Sequence, residues 1–395
     1  MKNNSPIYIK IVVGDWHNAS RDKRELRVAE KLGYRIVVIA TGKDSKKVEK
    51  DKVDGFRVIR IPTRKFGNGR LQTALGRIVS VFVFIREIRR IPATVVSGHN
   101  YSGWLLGYFA YGRKKRYIYD CHEFELYQIE RNPIAFLTVK NIERFVLIHS
   151  DINMMVTDCI ADEVKRIYKL KERPLVVRNI PEKSKNDYTD RDIYREGFLS
   201  NLNISNDGFI MMFHGGFARG RGVEECIKAV AQLENVGLVL MGYSLDEAYR
   251  EELIKLIETL DCSDRVYFKD AVPFSDLYYN VSAADVGIVL TQNTCSSFYY
   301  SLPNKLMENI QSLTPVIGSD FPEIGGIIKK YHIGEVIRPD DVNALVRVIN
   351  DMKSNSEKYA CYKANLRVAK EELCWEKEQE KLKNAILSLS QKRMD

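Results

Sequence analysis

Phe209-Ile210-Met211-Met212-Phe213 runs into His214-Gly215-Gly216-Phe217-Ala218-Arg219-Gly220-Arg221-Gly222 and then into Val223-Glu224-Glu225-Cys226-Ile227. The apolar run reads as a strand buried on both faces. The glycines let the backbone turn sharply and approach a ligand. The helix that follows, from about Val223 to Leu233, points free N–H groups and a partial positive charge at whatever lies beyond its start. Strand, glycine turn and helix form the opening unit of a doubly wound α/β domain. Arg219 and Arg221 in the same turn add donors that suit a diphosphate. The glycine spacing is neither a Walker A motif nor G-x-G-x-x-G, which disfavours P-loop and nicotinamide chemistry.

Downstream of this unit, apolar β-rich runs alternate with helical patterns: Gly237–Met241, Val266–Phe268, Val286–Leu290 and Pro315–Gly318. Upstream, Ile7–Val13, Arg35–Ala40, Val95–Ser97, Tyr117–Tyr119 and Ile152–Val156 read as strands, with a helix from Asp22 to Leu32. The expected architecture is therefore two doubly wound domains in tandem, with ligands at the carboxyl ends of the strands and in a cleft between domains. A length of 395 residues suits two cores of ordinary size. The expected divisions are an N-terminal domain over 1–180, a polar linker over 181–207, a second domain over 208–365 and a C-terminal segment over 366–395. That segment, read as one charged helix from Leu366 to Leu389, is expected to pack back toward the N-terminal domain.

The net charge of +9 is unevenly spread: residues 1–180 hold 35 Lys/Arg against 19 Asp/Glu, leaving 26 against 33 for the remainder. A basic half suits an anionic partner. With no zinc-finger, RNP-type or helix-turn-helix signature, nucleic acid is not expected. The polar N-terminus, with its apolar run broken at Lys10, reads as lacking a secretory leader. Seven scattered cysteines without a C-x-x-C pair read as reduced thiols in a cytoplasmic protein, with no zinc site. Between Leu71 and Ile91, Leu71, Leu75, Ile78, Phe82, Ile85 and Ile88 share one helical face, with Arg77, Arg86, Arg89 and Arg90 elsewhere. The primary expectation is that this face packs on the N-terminal sheet. The alternative is docking on the anionic inner face of a membrane, helped by Arg113-Lys114-Lys115-Arg116.

Three further segments carry candidate chemistry. Tyr299-Tyr300-Ser301-Leu302-Pro303-Asn304-Lys305-Leu306-Met307-Glu308 turns on Pro303 into a helix, putting Lys305 and Glu308 on one face near its start. Glu308 there could accept paired hydrogen bonds from the vicinal hydroxyls of a ribose, although such a Lys–Glu pair is more commonly a surface ion pair. Tyr117-Ile118-Tyr119-Asp120-Cys121-His122-Glu123 brings His122, flanked by two carboxylates, to a strand end, and His99-Asn100 sits at an equivalent end. Asp190-Arg191-Asp192 reads as solvated charge in the linker rather than a metal motif.

Together these segments resemble the retaining glycosyltransferases of family 4, which have the GT-B fold of two Rossmann-like domains facing across a cleft. The resemblance rests on Asp120-x-His122-Glu123, Val177-x-Asn179, the turn ending Arg221-Gly222, Gly242 after its strand, Ala284-Asp285-x-Gly287, and Leu302-Pro303-Asn304-Lys305 through Glu308 to Pro315-Val316-Ile317. It implies a nucleotide diphosphate sugar as donor, a UDP-sugar by preference, held by the C-terminal domain. Glu308 would take the ribose, Arg221 and the Gly215-Gly216 backbone the diphosphate with Lys305 near, and the Phe268–Val272 segment the base. Arg219, Gly242, Tyr300, Ser301 and Leu302 complete the implied donor site. His122 would touch the transferred sugar, with His99, Asn100 and Glu123 on the acceptor side. The implied catalysis is front-side substitution without a protein nucleophile or a metal. The acceptor is expected to be a lipid-linked sugar or glycan of bacterial surface polysaccharide.

Two positions depart from the family pattern. The first of its paired glutamates falls on Tyr300, and its usual arginine before the loop falls on Gly216. Tyr300 leaves open a non-catalytic GT-B partner subunit. A sugar-nucleotide epimerase is the other alternative, and it lacks a clear acid–base pair.

Overall fold

The computed structural model describes residues 5–14, 16, 20–42, 47–63, 69–129, 132–185, 191–202, 204, 208–244 and 246–391. The chain forms two compact units, one of residues 1–178 with 378–395, the other of residues 179–377.

In the first unit the strands are β1 (Ile7–Val12), β2 (Arg35–Gly42), β3 (Glu49–Val53), β4 (Phe56–Pro62), β5 (Val95–His99), β6 (Arg116–Cys121), β7 (Ile152–Met155) and β8 (Leu175–Val176). Among the described residues they form one sheet in the order β3-β4-β2-β1-β5-β6-β7-β8. Pairing is parallel except for the β3–β4 hairpin, closed by Asp54 and Gly55 at φ 52° and 86°. The order reverses at β1, with β2 on one side and β5 on the other. Such a switch point opens a crevice at the carboxyl strand ends, where His99 closes β5 and Asn100 follows it.

The second unit has β9 (Phe209–Phe217), β10 (Val236–Ser244), β11 (Val266–Asp270), β12 (Val286–Val289), β13 (Val316–Ser319) and β14 (Gly334–Ile337), in the order β11-β10-β9-β12-β13-β14. All pairs are parallel. Its switch point lies between β9 and β12, so the glycine turn leaves the sheet where a ligand crevice is expected. Phe213, Leu238, Ile288 and Ile317 pack in the core beneath it.

Three expectations are corrected. The stretch read as a linker contains a helix, Arg191–Ser200, whose Phe198 and Leu199 are buried against Ile210 and Met212. Arg195 fastens it by donating to the Asp285 carboxylate at 2.8 Å, so Asp285 serves packing here. Asp190 lies outside the described residues, and Asp192 falls in the first turn of that helix. The C-terminal segment is two helices, Ser356–Glu372 and Trp375–Gln391. Its break is set by buried Leu373 and Cys374, and the Trp375 N–H donates to Pro181 O at 2.8 Å.

The third correction concerns the helix Arg70–Arg89. It packs through Gly76, Ser80, Phe84 and Ile88, spaced every fourth residue, while Leu71, Leu75, Ile78 and Phe82 face outward. Leu71 is 87% and Phe82 67% exposed. Small Gly76 and Ser80 allow close approach to the body of the unit, and the Ser80 hydroxyl donates to Gly76 O at 2.9 Å. The primary expectation, an apolar face turned inward, therefore holds for buried Ile88 and half-buried Ile85, toward the helix end. No described helix is long and apolar enough to cross a membrane.

Candidate functional site

In the second unit the glycine turn lies against the helix Asn304–Gln311. Gly242 pairs with Gly215, and a Cβ on Gly242 would sit 2.0 Å from Gly215 O, so only glycine permits this approach. Gly222, at φ 82°, starts the helix Val223–Val230. Arg221 Nη1 donates to Gly216 O at 3.1 Å, folding the guanidinium back over the turn. Pro303, extended at φ −71° and ψ 141°, starts the helix that carries Lys305 and Glu308.

Lys305 and Glu308 have different partners. The Lys305 ammonium lies 3.2 Å from the Phe213 ring centroid, a cation–π contact. Burial, and then the charge of Arg221, pull its pKa down to about 7. Glu308 Oε2 lies 3.0 Å from His214 Nε2. His214 is 1% exposed, whereas the Glu308 side chain keeps 16% of its surface open. The turn and this helix thus bring together the Arg221 guanidinium, a lysine of lowered pKa and one anchored carboxylate. That set suits an anion with a diol-bearing group beside it.

Other residues predicted for this site have packing partners of their own. Arg219 pairs with Glu252 at 2.5 Å and covers the Tyr249 ring, so in this arrangement it serves the helix Glu247–Thr259. Phe268 packs edge-on against Phe217 under Arg250, and Val272 joins the cluster of Phe198 and Met241. Tyr300 meets Tyr299, which packs on Phe321. Ser301 Oγ donates to Phe298 O, and Leu302 packs against the Leu306 cluster.

In the first unit, a buried charge cluster lies under the switch point. Lys10, in mid-strand, reaches Asp22 at 2.9 Å and Asp120 at 2.6 Å, and also pairs with Glu25. Arg21 reaches Asp120 at 3.0 Å and Val177 O at 2.6 Å. Burial opposes the charge on Lys10, but Asp120, Asp22 and Glu25 outweigh it and raise its pKa. Asp22 and Asp120 are likewise held well below the usual carboxylate range, against burial, by Lys10 and His122. Glu25 is raised, chiefly by burial.

His122 caps the cluster: its Nε2 lies 2.7 Å from Asp120 and 3.2 Å from Asp22. Burial lowers its pKa, and the two carboxylates more than reverse that. His99 stacks on it at 3.7 Å between centroids and meets Asp22 at 3.1 Å. Asn100, at φ 56°, accepts from the His122 backbone N–H and also bonds the side chain of Glu125. Burial, then Glu143, push Glu125 up to about 7. His122, His99 and Asn100 are therefore brought together, while Glu123 is exposed beside them.

Asp22, His99 and His122 offer ligand-type atoms within 4.8 Å of one another, as do Asp22, Glu25 and Asp120. Lys10 and Arg21 already supply cationic charge to these carboxylates. Sequence reasoning passed over Lys10, Arg21, Asp22, Glu25, Glu125 and His214. The available signal was a lysine inside an apolar central strand, matched by acids three apart on the next helix, since such a charge needs buried partners.

A model of glycosyl transferases group 1 matches residues 195–368, and a model of glycosyltransferase family 4 matches residues 25–179. No curated protein sequence matches the chain. Among solved structures, sucrose-phosphate synthase from Thermosynechococcus elongatus is similar at 18% identity and TM-score 0.74, covering 97% of this chain and 99% of that one. Anabaena HepE in complex with UDP is similar at 14% identity and TM-score 0.74, covering 98% and 100%. WaaG, a glycosyltransferase involved in lipopolysaccharide biosynthesis, is similar at 17% identity and TM-score 0.66, covering 96% and 99%. These likenesses carry the fold, and the family models, which divide most of the chain between them, carry the chemistry: the protein belongs to the group 1 glycosyltransferases of the GT-B fold.

Proposed function

We propose that this glycosyltransferase moves a sugar, with retention of anomeric configuration, from a UDP-sugar to a lipid-linked or glycan acceptor of bacterial surface polysaccharide or glycolipid assembly. The observation that carries the donor reading is the convergence of Arg221, Lys305 and the anchored Glu308 at one strand end. Arg221, Lys305 and the Gly215-Gly216 backbone are assigned to the diphosphate, Glu308 to the ribose and the Phe268–Val272 segment to the base. The structures titled HepE in complex with UDP and with UDP-glucose support uridine.

In this reading the bond from the anomeric carbon to the β-phosphate oxygen breaks as the acceptor oxygen bonds the same face. The acceptor proton passes to the departing phosphate. Arg221 and Lys305 stabilise the charge on that leaving group, so the rate gain comes from positioning and electrostatics. His122, held by Asp22 and Asp120, is assigned to the transferred sugar, with His99, Asn100 and Glu123 toward the acceptor. We assign no metal to the reaction, since the two cations supply the charge a divalent ion would. Transfer should persist in excess EDTA.

We place the protein on the cytoplasmic side of the membrane, peripherally bound. Support comes from the outward Leu71, Leu75, Ile78 and Phe82 and from the basic balance of the N-terminal half. The first test is a thermal-shift screen against UDP, GDP, ADP, CMP and their sugar conjugates, because a bound ligand raises apparent stability by mass action. A shift with UDP and its conjugates is expected. A flat response to every nucleotide diphosphate would remove the donor reading.

A further inference from the structure

His214 is a polar residue in an otherwise apolar strand. Ile210, Met211, Met212 and Phe213 before it are all fully buried, and its backbone pairs with Met241 on β10. Its Nδ1 is buried and finds no partner among the described residues, while Nε2 meets Glu308 Oε2 at 3.0 Å. A carboxylate oxygen accepts, so Nε2 is the donor, and in the neutral imidazole Nδ1 is then a bare acceptor. The opposite tautomer would set two lone pairs against each other and bury an unsatisfied N–H. An aliphatic side chain here would spare the strand an unsatisfied polar atom. What the imidazole supplies instead is a fixed N–H on a carboxylate that remains partly open to solvent.

We propose that His214 is the positioning residue for Glu308: its Nε2–H pins one carboxylate oxygen and leaves the other aimed at the vicinal hydroxyls of a nucleotide ribose. This rests on the donor reading above and deepens it. Pinning the carboxylate before the ligand arrives removes a rotamer cost from binding. His214 thereby sets the preference for ribose over deoxyribose without touching the nucleotide.

The test is calorimetric binding of UDP, 2′-deoxy-UDP and inorganic pyrophosphate to the full chain, as wild type, His214→Gln, His214→Asn and His214→Leu. Wild type should prefer UDP over the deoxy form by about tenfold, the scale of one hydrogen bond to a charged group. Leu and Asn, the latter polar but too short to reach Oε2, should cut that preference to about threefold or less with pyrophosphate binding unchanged. Gln, whose amide nitrogen falls near the imidazole Nε2, should restore it. A wild-type preference retained by both Leu and Asn would overturn the positioning role while leaving the donor reading intact. A wild type that binds neither nucleotide, or a Glu308→Ala variant that keeps the full ribose preference, would overturn the donor reading itself and this inference with it.

Discussion

Lys10 and Lys305 are both lysines drawn out of bulk water, one in each compact unit, and their environments act in opposite directions. Around Lys10 three carboxylates are within reach, and they raise its pKa despite burial. Around Lys305 burial and the charge of Arg221 outweigh the opposing pull of Glu308, and the ammonium rests on the Phe213 ring with its pKa pulled down to about 7. The first cluster closes on itself: Lys10 and Arg21 face Asp22, Glu25 and Asp120, and the raised pKa of His122 tips the remaining imbalance toward neutrality. The second has an excess of positive charge whose natural complement is an anion from outside. A lysine whose charge is matched by buried carboxylates suits a structural role, and one whose charge is disfavoured in the unliganded chain is suited to an incoming anion.

The largest effect that can break this contrast is Lys10→Met. Removing one partner of a buried charge group leaves the others uncompensated, which costs roughly 3–5 kcal/mol. Chemical denaturation should show that loss in the unit containing residues 1–178. A change under about 1 kcal/mol would mean that Arg21 and His122 suffice, and that the cluster is not a closed unit. Next in size is Glu308→Ala, which should weaken UDP binding by roughly 1–3 kcal/mol, the scale of lost charge-assisted hydrogen bonds. It should also lower the unliganded melting point by a few degrees, because the buried His214 Nε2–H loses its carboxylate partner. Unchanged UDP affinity would show that the carboxylate does not meet the ligand.

The two clusters also differ in how legible they were. The second was visible because its residues are local: a glycine turn and the ten-residue segment Tyr299–Glu308 carry Gly215, Gly216, Arg221, Lys305 and Glu308. The central strands of both sheets could be read from apolar runs, since buried parallel strands leave that trace, whereas β3, β4, β8 and β14 escaped that reading. The first cluster was hidden because its members come from β1, the helix Ser20–Lys31, β5 and β6, and a lysine in a strand reads as a break until the register sets Ser97 beside it. His214 shows no role in the turn's sequence, since its partner lies 94 residues away. The β3–β4 hairpin, with Asp54-Gly55 at its tip, carried a recognisable turn signal among strongly charged residues that masked it. The face of the helix Arg70–Arg89 was misjudged because periodicity finds an apolar stripe without saying what covers it. The packing side was chosen by Gly76 and Ser80 instead.

Lys305 gives the next prediction, with a definite sign. Between about pH 7 and its ordinary 10.5 the folded, unliganded chain has lost a proton that the unfolded chain keeps. That group therefore makes stability rise with pH across the window. A bound diphosphate would favour the charged lysine, so binding takes up a proton, and UDP affinity should fall by up to about tenfold per pH unit above pH 7. Lys305→Arg, which stays charged, should flatten that dependence. Lys305→Met should raise unliganded stability by about 1 kcal/mol while weakening UDP, the reverse of what Lys10→Met does to stability. A pH-independent affinity in wild type would show that Lys305 is charged before the ligand arrives, and would erase the contrast between the two lysines.

The smallest effect concerns the outward face of the helix Arg70–Arg89. Phe82 is 67% exposed, so Phe82→Ser removes little internal packing and should change stability by less than about 0.5 kcal/mol. If the face docks on lipid, the same change removes most of a buried aromatic contribution of about 2 kcal/mol, a tenfold or greater loss in partitioning to vesicles of mixed neutral and anionic phospholipid. The exposed Arg86 and Arg90 flank the face, so binding should also weaken as salt rises and the charges are screened. Wild-type binding that is insensitive to both salt and Phe82→Ser would place the membrane contact elsewhere. Absence of vesicle binding at low salt would leave these outward side chains without a lipid role. The distinction between the two units would then rest on their charge clusters alone.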